Sequence, residues 1–463
     1  MASITSAGIG SGLDIGGLVS QLVAAEGQPA EQRIARGEAS AQARLSAYGS
    51  LKSALSQFRD QLDLMQDIGK FLSRKAASSN EDLFSVSAST SALPGSYAVE
   101  VVNLATAQRL TSGAFADADT AVGEGTLTID VGGEAFDVEI TADNSSLAGI
   151  RDAINAAGDN SGVTATIVNA DSGSYLVLNS EETGSAQTIT VTQAGGDGGL
   201  AALEYDPANG LNALTETVAA ADALVRVDGL DITSANNTIS GAIDGLTLEL
   251  VAASPGSVEK LSVDNDSAAV RNVIEDFVDS YNDLVATFDQ LSAYDAETEI
   301  AGPLLGDASL RNIRDQLRRE MSEGVDSVGA AFGSLRDAGL EIELDGTMSI
   351  VDEELDAALA DDFTGIGQLF AADGAYAQRL FERVEAFLDD EGLLEARTDG
   401  LNRTIEDYAE QRERLAERLS SLETRLLRQF NALDSLVAQL TSTSNFLTQQ
   451  LANLPTVGGN NNA

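Results

Sequence analysis

Along the C-terminal stretch the apolar positions recur at alternating steps of four and three. They are Leu401, Ile405, Tyr408, Leu415, Leu419, Leu422 and Leu426, with Arg412 the one polar member. This is the a/d seam of a heptad repeat and predicts a coiled-coil-like helix. At Phe430 the step is four where three is due, and the repeat then resumes through Leu433, Val437, Leu440, Ser444, Leu447, Leu451 and Leu454. Such an extra residue is a stutter that locally unwinds a supercoil. No proline lies between Pro303 and Pro455, so a continuous helix over 393–454 is predicted, roughly 90 Å long at about 1.5 Å per residue. It cannot bury its seam alone. Near the other chain end Leu45, Tyr48, Leu51, Leu55, Phe58, Leu62 and Met65 also step by three or four, which offers a partner. Periodicity leaves two readings open: a stalk made from both ends, or two amphipathic helices of one globular bundle.

The middle changes period. Over 126–140 Leu127, Ile129 and Val131 alternate with polar residues, then Phe136, Val138 and Ile140 do the same, with Gly132-Gly133 between. That predicts two strands and a two-residue turn in which both positions take positive φ. Ser145 or Ser146 can cap a short helix carrying Leu147, Ile150 and Ile154, closed at Gly158. Strands are expected in "VTATIVN", "SYLVLNS" and "TITVT", and the Gly-, Asp- and Asn-rich 194–212 reads as a loop or linker. A second β stretch covers about 217–263, with turns at Asp228-Gly229 and Asp244-Gly245. Helical spacing returns with Val270, Val273, Ile274, Phe277, Val278, Tyr281 and Leu284. The order helix, β, β, helix places the β modules as insertions between two halves of a helical layer.

Charge sharpens this division. The chain has 463 residues and a formal net charge of −46. Residues 1–75 carry 8 basic and 7 acidic side chains and 392–463 carry 7 and 9, whereas 76–270 carry 4 and 28 and 271–391 carry 8 and 29. Balanced charge at the ends suits helices that lie side by side. The acidic middle suits a solvated surface that repels its neighbours. With 27 Lys and Arg against 73 Asp and Glu, phosphate backbones and anionic membrane surfaces are disfavoured as partners. The apolar stretch 13–25 is interrupted by Asp14, Gly16, Gly17, Ser20 and Gln21 and has no basic residue before it. It reads as neither a membrane span nor a secretory signal.

Candidate chemistry is sparse. There is no cysteine and no histidine, which removes disulfides, the ordinary zinc sites, the Ser-His-Asp triad and the Cys-His pair. The opening glycines miss the dinucleotide fingerprint, because Leu13 stands where its third glycine belongs and no Walker lysine follows. Ser257 and Lys260 match S-x-x-K without its companion motifs; a hydrolase built on them would need a buried lysine in a pocket. The stretch from Asp264 matches an EF-hand loop only at Asp264, Asp266 and Glu275, and Asp266 or Ser267 reads better as a helix N-cap. No catalytic, metal or cofactor residue is assigned, and no cofactor is expected.

An assembly protein remains, and here one resemblance is specific. "GIGSGLDIGGLVSQLVAAE" (8–26) followed by Pro29 and "AYGSLKSALSQF", "VNLATAQRL" (102–110), "VDGLDITSANNTISGAIDGLTLEL", "GPLLGDASLRNIRDQLR" (302–318), "AGLEIELDGTMSIVDEELDAAL" (338–359), "LFAADG" (369–374) and "LLRQFNALDSLVAQLTSTSNFLTQQL" resemble, in order, the flagellar filament-capping proteins of the flagellar hook-associated protein 2 family. "IRDAINAAGDNSGVTATIV" (150–168) is similar to the small IN module of flagellins and hook proteins.

The resemblance implies an α+β multidomain fold, with a long antiparallel coiled-coil-like leg from both chain ends and two inserted β-rich heads. Its expected parts are a flexible export and filament-insertion segment 1–40, a leg helix 41–75, an inner head from 76–110 and 217–266, and an outer head 111–216. A helical leg domain 267–400, a C-terminal coiled-coil helix 401–454 and a flexible tail 455–463 complete it. Gly8, Gly10, Gly12, Gly16 and Gly17 are expected to keep the N-terminal segment unfolded for export, since each glycine opposes helix by about 1 kcal/mol. The implied function is mechanical: a homo-oligomeric ring, a pentamer in the best known relatives, closes the distal tip of the extracellular filament. There it promotes flagellin polymerisation and prevents loss of monomers, so filament elongation and motility depend on it. The implied partners are flagellin, the filament tip, the hook–filament junction proteins and an export chaperone, with passage through the flagellar export channel. The alternative is a surface adhesin whose acidic heads bind glycans.

Overall fold

The computed structural model describes residues 12–325 and 332–452. Its described helices are α1 (Ile15–Met65), α2 (Ile68–Phe71), α3 (Leu147–Ala156), α4 (Ser267–Ser292), α5 (Ala308–Ser322), α6 (Asp352–Asp361), α7 (Phe363–Ala371), α8 (Tyr376–Leu388) and α9 (Leu393–Ala452). The chain forms two compact units. One takes the described residues up to Ile68 and those from Val273 onward; the other is Gly69–Asn272. The fold is therefore α+β, with a β-rich insertion between helical chain ends.

In the helical unit α1 starts where Asp14 caps it, the carboxylate accepting from the Gly17 N–H at 2.9 Å. A Cβ at Gly17 would collide with that carboxylate, so this glycine serves the cap. The helix then runs unbroken for 51 residues through Gly27, Pro29 and Gly37. The leg helix expected over 41–75 has other bounds: within the described residues 15–40 are already helical, and the helix ends at Met65. The physical reason is burial. The glycine penalty of about 1 kcal/mol per residue is offset where Val19, Ile34 and Ala41 leave water. Gly12 precedes the cap at φ +70°, while Gly8 and Gly10 lie outside the described residues, as does the expected tail 455–463.

Helix α9 continues through the Phe430 stutter without a break. It runs antiparallel to α1: Lys52 reaches Glu395 at 3.3 Å, Glu38 reaches Arg412 at 3.2 Å, and Gly27 faces Leu419. The other helices of the unit close a core around rings from four elements. Phe58 stacks on Phe277 at 6.0 Å, Phe277 meets Phe370 at 5.9 Å, and Phe370 meets Tyr376 at 6.5 Å. Arg379 of α8 donates to the carbonyls of Glu320, Glu323 and Gly324 at 2.7, 3.0 and 3.0 Å, which satisfies the end of α5. Asn282 of α4 exchanges two hydrogen bonds with the Met348 backbone and so holds the hairpin of Leu340–Ile342 and Met348–Ile350.

The β unit has two hydrophobic cores. The first lies under an antiparallel five-stranded sheet in the order Arg74–Ser78, Glu259–Asn265, Gly95–Asn103, Ala223–Val227, Leu230–Ser234, with a three-stranded sheet of Thr238–Ser240, Leu246–Leu250 and Phe84–Ala88. The second joins a five-stranded sheet, centred on Ile189–Ala194 and Gly125–Val131, to a four-stranded sheet and α3. The chain enters and leaves the second lobe side by side, because Thr111 pairs with Thr215 and Thr106 bridges Ala221. Gly132 and Gly133 (φ +61° and +96°) turn one predicted hairpin, and Asp228 and Gly229 (φ +49° and +84°) turn another. Residues 194–212 are a correction. Tyr205–Asp206 and Leu211–Asn212 extend the sheet, and Leu200, Leu203 and Tyr205 are buried; three scattered apolar residues among glycines form no period that sequence reading detects.

Two outcomes are expected. Phe277→Ala removes a ring fully enclosed by Phe58, Phe370 and their neighbours and should cost the helical unit about 3–5 kcal/mol, measured as a lower urea midpoint in helical circular dichroism. The Glu100 carboxylate accepts from Gly256 N–H at 2.7 Å and from Arg226 at 2.7 Å. The backbone N–H first, then the guanidinium, hold its pKa below the usual glutamate value. Because the folded-state value is depressed, this stabilisation is complete above the ordinary range and is lost as pH falls below about 4.5. Glu100→Gln should therefore flatten the acid limb of a stability–pH curve of the β unit; an unchanged limb would remove Glu100 as its source.

Candidate assembly interface

The seam between α1 and α9 gathers most of the residues singled out by sequence. On α1, Tyr48 and Leu51 are buried and Leu45 is half-buried in this seam, whereas the equally buried Leu55, Phe58, Leu62 and Met65 lie past the start of α9, where α1 packs on other helices of the unit, Phe58 on Phe277 among them. On α9, Leu415 is buried, and Leu401, Ile405, Tyr408, Leu419, Leu422, Leu426, Phe430 and Val437 are half-buried. Leu433 and Leu440 are 57% and 61% exposed, so neither lies in a closed seam. The reason is length: α1 begins at Ile15 and faces α9 only to about the position of the stutter. Beyond it Leu433, Leu436, Leu440, Phe446, Leu447 and Leu451 all face solvent. This last part of α9 carries a single charged residue, Asp434, after Arg428.

Sequence reading missed the α1 half that faces Leu415 and Leu419. Its buried positions, Gly27, Ile34 and Ala41, continue the seven-residue step of Tyr48, Leu55 and Leu62. Only Ile34 of the three is a large apolar residue, so with glycine and alanine at the flanking steps the repeat has too little contrast to be read as a seam. Beside them Ile34, Ala35, Leu415 and Ala416 line a cleft of about 260 Å³, with Glu31, Glu38 and Arg412 at its edge. Arg412, the polar member of the seam, forms a double contact with Glu38.

Where the two helices reach the rest of the unit, Arg397 donates from Nε to Ser309 Oγ at 2.7 Å, and Asp307 caps α5 by accepting from Ser309 and Leu310. Burial, with the Asp307 carboxylate beside it, pushes the Tyr48 phenol up to about 12. It is a neutral, enclosed hydroxyl rather than an acid or base for physiological pH.

The motifs with catalytic overtones are placed otherwise. Ser257 Oγ donates to Glu259 Oε1 at 3.2 Å, and the Lys260 side chain is exposed, so Ser257 is not poised for activation by a buried lysine. Asp266 accepts from the Ala269 N–H at 3.0 Å as an N-cap. Among the described residues there is no cluster of three or more acidic side chains placed to hold a metal ion, and no helix is long and apolar enough to cross a membrane.

Family models match along the chain: the flagellar hook-associated protein 2 N-terminus over 11–108, the flagellin hook IN motif over 126–182, and the flagellar hook-associated protein 2 C-terminus over 220–442. The B-type flagellar hook-associated protein 2 of Pseudomonas aeruginosa is 35% identical, with 98% of each chain covered. The flagellar hook-associated protein 2 of Escherichia coli strain K12 is 34% identical over 98% of this chain and 99% of that one. Among solved structures, the D1-D2-D3 domains of the flagellar cap protein FliD from Escherichia coli superpose with a TM-score of 0.67 at 33% identity, covering 77% of this chain and 99% of theirs. Relatives matched end to end, over both long helices and the β insertion between them, make this chain a member of the flagellar hook-associated protein 2 family.

Proposed function

We propose that the protein caps the distal end of the bacterial flagellar filament, where it promotes flagellin addition and retains unpolymerised subunits. The observation that carries this reading is end-to-end similarity to flagellar hook-associated protein 2 relatives, 35% identical over 98% of both chains in one case. The comparisons give the glycan-binding alternative no support. The reading is mechanical and involves no bond chemistry. Several copies, five by analogy with well-known relatives, form a ring through which flagellin cannot escape. A closed ring on a helical filament cannot meet every site equally, so one site is always open to the next subunit. Passage through the flagellar export channel, an export chaperone and contact with hook–filament junction proteins belong to the same proposal. So does the division of the β unit into an inner lobe on the first core and an outer lobe on the second.

If the α1–α9 seam holds the filament-docking part together, burying charge in it is disabling. Leu415→Asp with Leu419→Asp costs several kcal/mol. In a strain lacking its own cap, this double variant should leave flagellin monomers in the medium and filaments short or absent; normal filament length would overturn the reading.

The acidic β unit generates a second expectation. Residues 108–219 carry 2 basic and 17 acidic side chains, and a ring brings several copies together. Repulsion over about 10 Å is screened at 0.1 M salt, so ring formation should strengthen as salt rises from low values. Deleting 108–219, just inside the Thr106–Ala221 bridge, removes the second core whole. It should leave an oligomer with a shallower salt dependence in sedimentation velocity. Rings that weaken with added salt would show that attraction between unlike charges holds them instead.

A further inference from the structure

We propose that the outer half of the α1–α9 pair is keyed to a single register and a single partner by two glycine seats and one ion fork. Gly27 lies under Leu419: a Cβ built there would sit 2.6 Å from Leu419 Cδ1. Gly37 lies under Tyr408, and its Cβ would come within 2.5 Å of the phenol oxygen. Between the seats Glu38, with 16% of its side chain exposed, takes Arg412 in a fork, Nη1 to Oε2 and Nη2 to Oε1 both at 3.2 Å. Paired parallel bonds of this kind fix geometry more than they add energy.

The three contacts form together in one alignment: a slip of one heptad toward the N-terminus of α1 sets Leu419 against Ser20 and Tyr408 against Ala30, so both glycine seats are lost although Arg412 meets Glu31. A slip of one heptad the other way sets Leu419 against Ile34, Tyr408 against Arg44 and Arg412 against Leu45, and leaves Glu38 without its guanidinium. The first overpacks, and the last strips a half-buried carboxylate of its partner. A second α1 in place of α9 would set small residues on small ones, leaving voids where Leu419 and Tyr408 now fill the seats. Large-on-small matching therefore selects α9 of the same chain, in one register, where a plain leucine seam would tolerate several. This inference stands on the contacts alone and does not depend on the capping role.

Gly49 supplies an internal control. It lies in the same helix, exposed, with nothing within 4 Å of a built Cβ. Alanine raises helix propensity equally at all three positions. In the full-length protein, Gly49→Ala should slow hydrogen exchange of the α1 amides, whereas Gly27→Ala and Gly37→Ala should speed exchange over 20–42 by about tenfold, the size of an ordinary overpacking penalty. In a Tyr408→Ala background, Gly37→Ala should turn protective. The chain has no cysteine, so nitroxides placed at Ser20→Cys and Arg425→Cys report register directly, a heptad slip moving them by roughly 10 Å. One distance is expected for the parent and for Gly49→Ala. A second or broadened distance is expected for Gly27→Leu with Gly37→Leu, and for Glu38→Arg, with restoration when Arg412→Glu is added. Slower exchange in all three alanine variants, or one unchanged distance in the double leucine variant, would overturn the proposal.

Discussion

Helices α1 and α9 each carry an apolar seam that neither can shield from water by itself, and the two lie at opposite ends of the chain. Pairing them is the constraint on which the rest of the structure depends. Everything between Met65 and Leu393 must return the chain to where it left, so the intervening domains are closed insertions. The β unit meets this condition through the antiparallel strands Arg74–Ser78 and Glu259–Asn265, which bring its entry and exit together. The second lobe meets it again through Thr111 and Thr215. Antiparallel pairing at every point of entry is what lets modules be nested without crossing connections.

The seam is also graded. Near the core of the helical unit α1 presents Tyr48, Leu51, Leu55, Phe58, Leu62 and Met65, each packed on several elements. Farther along, only α9 is available, and α1 presents Gly27, Ile34, Gly37 and Ala41 instead. Two isolated helices with large residues on both seams would stand apart and leave flanks wet; small residues on one let the backbones approach and the other's side chains insert. Past the stutter, among the described residues, α9 exposes a row of leucines with almost no charge.

Charge follows the same logic. The paired helices balance acid against base, and their cross-helix contacts Lys52–Glu395 and Glu38–Arg412 join opposite signs. The β unit and the shorter helices carry the acidic excess, where solvent and salt screen it. Inside the β unit Glu100 is tied to Arg226 and to the Gly256 backbone, so one of its few cations is spent on a carboxylate that burial would otherwise penalise.

Much of this was legible in the sequence. The heptads of α9, the turns at Gly132-Gly133 and Asp228-Gly229, the Ser146 cap of α3 and the Asp266 cap of α4 follow from local rules: side-chain period, positive φ and orphan N–H groups act within a few residues. The order of the modules, with the family motifs lying along it, was equally readable. What sequence could not decide depended on a distant partner. Gly16, Gly17, Gly27 and Pro29 argue locally against helix, yet residues 15–40 are helical because α9 buries one face of them. Leu433 and Leu440 carry the same period as Leu415, yet they are exposed because α1 has not reached them. Leu200, Leu203 and Tyr205 show no period but are core, because a sheet edge lies over them. Propensity and period are properties of a segment; burial is a property of what the rest of the chain brings against it, and only the tertiary structure holds that information.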